Sequence, residues 1–169
     1  MMYVFVFGPV AITCEHFETV EPDGSHEYGT RIQLRQVRYD IVDGVRHQAG
    51  RDGLYTTIAA PIWRGDLFNA VGAPADAHEH AHFHTSFTGM QPVEREFDQA
   101  VVDDPIAWAK AQLGDLARVL TVGGATGLIP DVDQAEVDRA WPAIEASIRA
   151  NFAGPIYERD EVRRKAFTH

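Results

Sequence analysis

Four of the eight histidines of this chain occupy alternate positions of one short segment, at residues 78, 80, 82 and 84. Alternate residues of a β-strand point to the same face, so the four imidazoles would share one face. Same-face positions lie about 6.6 Å apart along a strand, and two imidazoles at that spacing can lean towards one ion. The step from His78 to His84 covers about 20 Å, which is too long for a single coordination shell. The segment therefore predicts a metal site that uses one His-x-His pair and takes further ligands from other strands.

Within this segment the four histidines are assigned different roles. His80 and His82 are the predicted central ligand pair, because the middle of a strand is held more firmly than its ends. His78 and His84 are the predicted catalytic residues, each acting as a third ligand or as a proton shuttle near neutral pH. The spacing alone leaves open whether the rings converge on an enclosed site or point into solvent.

A second set of metal-ligand residue types occurs near the N-terminus, at Cys14, His16 and Glu18. These residues share their parity with Val10 and Ile12, so the inward face of the first strands becomes polar towards one end. If that strand lies next to the histidine segment, His16 and Glu18 would complete the metal shell. Cys14 is interpreted as a small buried apolar residue.

The predicted ligand chemistry restricts the metal. Imidazole nitrogens with a carboxylate suit Zn, Ni, Fe or Mn, and they exclude a Ca or Mg site made only of oxygen ligands. An ion with an open position would activate water or polarise a carbonyl or phosphoryl oxygen, as in a hydrolase or lyase acting on a small molecule. A closed shell of four ligands would instead hold a structural ion.

Three other interpretations remain open from the sequence. The histidine strand is also consistent with a solvated face that binds nothing. Residues 31–64 contain six arginines against three aspartates, so paired histidines with arginines could form a metal-independent acid–base nuclease. The formal net charge of −10 makes nucleic acid an unlikely partner. An exposed sheet edge would also suit a non-catalytic interaction module, such as a homodimer.

The start of the histidine segment resembles the first motif of the cupins, with Gly72 followed after five residues by His78-x-His80. Cupins are β-barrels that bind a metal through two such histidines, a glutamate and a later histidine, so the resemblance implies a metal site here. The position of the cupin glutamate holds His84 or Thr85, and the following glycine is displaced to Gly89. No second cupin motif follows, so the resemblance does not predict a cupin fold for this chain.

The elements around these residues change type along the chain. The first part, residues 1–100, is rich in strand patterns, including the stretches 3–7, 10–14, 30–42, 54–63 and 77–87, with Gly8-Pro9 interrupting the first two. Within 30–42 the apolar parity switches, which predicts a bulge near Arg35 and Gln36. Asp43-Gly44 is a hairpin signal, Pro22 to Ser25 a turn, and Arg64-Gly65-Asp66 is interpreted as a turn.

Residues 104–154 predict two helices. One apolar stripe begins after Asp104-Pro105 and runs to Leu120, and a second surrounds Pro142, which should kink or restart its helix. Residues 155–169 form a charged C-terminal arm. Strands followed by helices predict an α+β fold, with an N-terminal antiparallel sheet, open or barrel-like, packed against two C-terminal helices.

The composition limits the class of protein. The chain has 169 residues, 45% of them hydrophobic, which predicts one domain with its own core. A lone cysteine excludes a disulfide scaffold. The first basic residue is Arg31 and no apolar run reaches the length of a membrane helix, so we expect a cytoplasmic protein without a membrane partner.

Overall fold

A computed structural model of the chain describes residues 1–20, 26–46, 51–68 and 81–152. Five strands form one antiparallel sheet in the order β1-β2-β3-β4-β5. Their bounds are β1 Met2–Phe7, β2 Val10–Val20, β3 His26–Arg46, β4 Arg51–Phe68 and β5 His82–His84. A small hairpin follows, made of β6 Phe87–Thr88 and β7 Gln91–Pro92. Neighbours in the chain are neighbours in the sheet, so the sheet is a simple meander.

The helices follow the sheet in the chain. They are α1 Gln99–Asp103, α2 Pro105–Leu113, α3 Leu116–Val122 and α4 Gln134–Asn151, with a 3-10 helix at Thr126–Asp131 between α3 and α4. The α+β class predicted from the sequence is confirmed, and the sheet is not closed into a barrel. Among the described residues, none of the helices combines the length and the apolar character needed to span a membrane.

The helices pack on one face of the sheet, which we call the helix face. Alternation along β2 and β3 places Val10, Ile12, Cys14, Ile32 and Leu34 on this face, and each is fully buried. They meet the apolar sides of α2, α3 and α4, which contribute the buried residues Leu113, Leu116, Leu120, Ile144 and Ile148. This apolar layer is the core, and it fixes which way every other side chain of the sheet points.

The opposite face of the sheet, here called the second face, is partly buried and polar. Five polar side chains are buried on it, namely Thr13, Gln33, Asp66, His82 and His84. The β6–β7 hairpin lies beside it, because the Met90 sulfur accepts from Arg35 and the Phe87 ring lies 6.4 Å from the His84 ring. The alternative of a solvated histidine face therefore does not hold for His82 and His84, which are buried.

The bulge predicted near Arg35 is present, since the register of β3 against β4 shifts on both sides of that residue. Asp43-Gly44 was expected to form a hairpin turn, but both residues lie inside β3. Arg64-Gly65-Asp66 was expected to be a turn and lies inside β4. The predicted turn at 22–25 lies outside the described residues. In each wrong case, long-range pairing overrides a local turn preference.

The helical region contains more elements than the two predicted helices. The first predicted stripe is divided between α2 and α3, because Gly114 ends α2 and the Asp115 side chain accepts from the Arg118 backbone N–H to start α3. By contrast, α4 continues through Pro142 without a restart. The predicted C-terminal arm lies outside the described residues, and the division into one domain stays a prediction.

Candidate metal centre

The short edge strand β5 brings two histidines beside an aspartate of β4. His82 lies opposite Asp66, and His84 lies opposite Arg64. Opposed residues of an antiparallel pair share a face, so these side chains project together from the second face. The exposed fractions of the Asp66, His82 and His84 side chains are 1%, 6% and 4%. The strand pairing therefore creates an enclosed group of three potential metal ligands.

The distances within this group suit a shared ion. The Nε2 atoms of His82 and His84 lie 3.3 and 3.5 Å from Oδ2 of Asp66. One ligand atom from each of the three residues lies within 4.8 Å of the others. For metal–ligand bonds of about 2.0–2.1 Å, neighbouring ligand atoms of a tetrahedral shell lie about 3.4 Å apart. The two measured separations thus match the edges of a tetrahedral coordination shell.

Two arginines also hold the aspartate, and Nη2 of Arg64 pairs with Oδ2, the oxygen that both histidines face. Oδ1 of Asp66 accepts from Nε of Arg31 and from Nε of Arg64, each at 2.9 Å. Burial alone would raise the pKa of Asp66, but hydrogen bonds from His82, His84 and Arg64 outweigh it and hold this pKa well below its usual range. Asp66 is therefore ionised at neutral pH, as a metal ligand must be.

His84 is held in a defined tautomer. Its Nδ1 contacts the backbone carbonyl of Glu94, which can only accept, so the ring proton is on Nδ1. In the neutral ring the lone pair is then on Nε2, which faces Oδ2 of Asp66. Both atoms are buried, and Oδ2 of Asp66 also forms an ion pair with Nη2 of Arg64. Nε2 of His84 has no hydrogen-bond partner among the described residues, and a proton on the imidazole or a metal ion between it and the carboxylate would satisfy it.

The segment after β5 supports this arrangement. Phe83 exchanges both backbone hydrogen bonds with Glu96, at 2.9 and 2.8 Å. The Glu96 carboxylate also accepts from the Thr85 hydroxyl. Glu94 thus contacts His84 through its backbone carbonyl, and Glu96 holds β5 through backbone and side-chain hydrogen bonds. Neither carboxylate belongs to the group around Asp66.

Aromatic packing on the helix face supports the strands that carry the site. The Phe83 ring lies on the helix face, 5.3 Å from the Trp108 ring, and Trp108 stacks on Trp63 at 5.5 Å. Between them, Gly65 leaves no room for a side chain, because a Cβ atom there would lie 3.1 Å from both tryptophans. The backbone that carries Asp66 and His82 is therefore fixed by aromatic packing on its other side.

His16 and Glu18 lie on the helix face and are not part of this group. His16 opposes Thr30, and Thr30 opposes Leu67, so the parity of His16 is opposite to that of Asp66. The Nδ1 atom of His16 lies 3.1 Å from the carbonyl oxygen of Asn151, and its Nε2 lies 3.4 Å from Oε2 of Glu18. This buried pair connects β2 to the end of α4.

The four histidines of the segment have different outcomes. His82 and His84 are brought together by the structure, whereas His78 and His80 lie outside the described residues, as does Gly72 of the cupin-like motif. The separate assignment of His82 as ligand and His84 as catalytic residue stays a prediction, because both rings face the same carboxylate oxygen at similar distances.

Asp66 is the site residue that sequence reasoning missed. The tripeptide Arg64-Gly65-Asp66 resembles a turn, although it directly follows a strand pattern. One signal was available, since Arg64 and Asp66 share a parity directly after the apolar run that ends at Trp63. Charged residues at alternate positions of a strand indicate one polar face.

Comparison with known proteins adds no relative. No protein-family model, no curated protein and no solved structure matches this chain. The functional interpretation therefore depends on the geometry of the site alone.

Proposed function

We propose that this protein binds one divalent transition-metal ion through Oδ2 of Asp66 and the Nε2 atoms of His82 and His84. The single observation that carries the proposal is the buried group of Asp66, His82 and His84, whose ligand atoms all lie within 4.8 Å of one another, with Nε2 of His84 lacking a hydrogen-bond partner among the described residues. Buried polar atoms without hydrogen bonds are rare and call for a missing ligand. A cation between His84 and Asp66 would satisfy this nitrogen.

The ligand set favours particular metals. Two imidazole nitrogens and one carboxylate oxygen suit Zn and Fe(II), and they also accept Ni or Mn. Three protein ligands leave at least one coordination position for water or a substrate, which is the arrangement of catalytic rather than structural sites. Such an ion supplies Lewis acidity to a water molecule or to a carbonyl or phosphoryl oxygen. A hydrolase or lyase acting on a small molecule is the activity that this chemistry would support.

The test is metal stoichiometry in matched variants. Tag-free protein is stripped with chelator, titrated with Zn²⁺ against a chromophoric chelator, and its metal content is measured after gel filtration. We expect about one equivalent in the natural chain and almost none in the double variant His82→Ala/His84→Ala. The control is His16→Ala, which removes a buried histidine from the helix face and should leave one equivalent.

The outcomes separate the possibilities. Retention of the ion by the double variant, or no stoichiometric binding by the natural chain, contradicts the proposal. Loss of the ion from His16→Ala alone would restore His16 and Glu18 as ligands and reject Asp66, His82 and His84 as the shell. Circular dichroism of each variant checks that the sheet is intact.

One observation favours a second candidate, the metal-independent acid–base nuclease. Arg31 and Arg64 flank the same carboxylate that both histidines face, so cationic groups and two potential proton carriers are adjacent. In that case the cation between His84 and Asp66 would be a proton. Cleavage of RNA that survives chelation and is lost in His82→Ala would select this function.

Cytoplasmic location and homodimer formation stay predictions.

A further inference from the structure

Among the strand side chains next to Asp66 on the second face, arginines outnumber carboxylates. Next to Asp66, β2, β3 and β4 place three arginines and one further carboxylate on this face, namely Arg31, Arg35, Arg64 and Glu15. With Asp66 included, these side chains have a net charge of +1 before any metal binds. A divalent ion would raise the local charge to about +3 beside buried ligands, which is costly unless an anion balances it.

The arginines differ in the hydrogen bonds that they have left to offer. Arg64 directs Nε and Nη2 to Asp66. Arg35 donates from Nε to the Ala59 carbonyl, from Nη1 to Gln33 and from Nη2 to the Met90 sulfur. In the described structure, Arg35 therefore uses all three of its guanidinium nitrogens and Arg64 uses two of its three.

Arg31 is the exception. Only its Nε is used, on Oδ1 of Asp66, and its terminal nitrogens have no hydrogen-bond acceptor among the residues that the structure describes. The guanidinium lies 4.4 Å above the Phe17 ring, which orients it, and the side chain is 20% exposed. Arg31 thus presents donors at the border between solvent and the candidate metal ligands.

We propose that Arg31 is the anion-binding residue of this site and that the site takes a small molecule with a phosphate group. The phosphate would use the terminal N–H groups of Arg31 and an open coordination position of the ion held by Asp66, His82 and His84. A planar guanidinium donates two parallel hydrogen bonds to phosphate oxygens, and a dianion balances the local charge better than a monoanion does. This inference rests on the proposed metal site and names the substrate class for it.

The proposal requires metal and anion to bind cooperatively. If each favours the other, the coupling is reciprocal, and typical couplings of this kind are about 5–150-fold. We therefore expect inorganic phosphate to bind at least about tenfold more tightly to Zn²⁺-loaded protein than to chelator-treated protein.

The experiment is calorimetric titration of inorganic phosphate into loaded and chelated protein, with acetate as the monoanionic comparison. Arg31→Gln should remove the phosphate coupling while the Zn²⁺ stoichiometry remains about one. Arg31→Lys should keep part of it, because the charge remains but the fork geometry is lost. The matched control is Arg38→Gln, an exposed arginine on the same strand, which should bind phosphate like the natural chain.

Each result has one meaning. Stoichiometric metal binding with no phosphate coupling, or with coupling that survives Arg31→Gln, overturns this inference and leaves the metal site standing. Acetate that binds as tightly as phosphate overturns the phosphate assignment in favour of a carboxylate ligand. Absence of metal binding in the natural chain overturns the proposed function itself.

Discussion

Replacing Asp66 by asparagine removes one buried negative charge while preserving the size and shape of the side chain. In the native protein, Oδ1 accepts from Arg31 and Arg64 at 2.9 Å each. Oδ2 lies 3.3 and 3.5 Å from the imidazole nitrogens of His82 and His84. An asparagine is uncharged, so Arg31 and Arg64 would lose the buried negative charge that both of them contact.

The expected cost follows from the groups left without their partner. Removing one member of a buried ion pair costs about 3–5 kcal/mol, largely because the remaining charge stays desolvated. The Arg31 and Arg64 side chains are 20% and 15% exposed, so water compensates part of their loss. We therefore expect Asp66→Asn to lower the free energy of unfolding of the metal-free protein by about 3 kcal/mol at pH 7.

Urea denaturation in the presence of chelator measures this loss, with the fluorescence of the buried residues Trp63 and Trp108 as the signal. The control is Asp40→Asn, an exposed aspartate on β3, which should stay within about 0.5 kcal/mol of the natural chain. A double-mutant cycle with Arg64→Gln then isolates the pair, and the two losses should fall short of additivity by more than about 1 kcal/mol.

The dependence on pH has a defined sign. Because the pKa of Asp66 is lowered in the folded state, its charge stabilises the fold above the ordinary pKa of about 3.9. That stabilisation is lost as the pH falls below this value, so the difference between the natural chain and Asp66→Asn should shrink in acid. The reasoning is refuted if Asp66→Asn costs less than about 1 kcal/mol at pH 7, or if its effect and that of Arg64→Gln are simply additive.

Three further predictions test the elements that position the site. Burial raises the pKa of Cys14 to about 11, against a weaker opposing hydrogen bond with Ser147, so its contribution to stability should be full below about pH 9 and fall as the pH rises towards 11. Urea unfolding at pH 8 and pH 10 should show a larger decrease for the natural chain than for Cys14→Ala. Gly29→Ala should cost at least about 3 kcal/mol or prevent folding, because its Cβ would lie 2.0 Å from the Leu67 carbonyl oxygen, whereas Gly127→Ala, with open space around it, should be close to neutral. Asp133→Ala should lower the melting temperature through a loss of about 1 kcal/mol, because the carboxylate accepts from the Ala135 backbone N–H at 2.9 Å at the start of α4, and Asp133→Asn should restore most of it.

The features that the sequence determined by itself are those written in local periodicity. Alternation over Val10, Ile12 and Cys14 predicted an inward strand face, and all three side chains are fully buried. The parity switch near Arg35 predicted the bulge that shifts the register of β3. The spacing of His82 and His84 placed both rings on one face. Each of these predictions depends on residues only a few positions apart.

The tertiary structure alone decided which faces meet. Asp66 joins His82 only because β4 and β5 pair in one register, and a shift of one residue would turn the carboxylate to the helix face. His16 shares the residue type expected of a ligand, but its parity within the sheet directs it towards α4 instead. Strand order and register are set by contacts between distant parts of the chain, so no local pattern could have placed Asp66 beside the two histidines or His16 away from them.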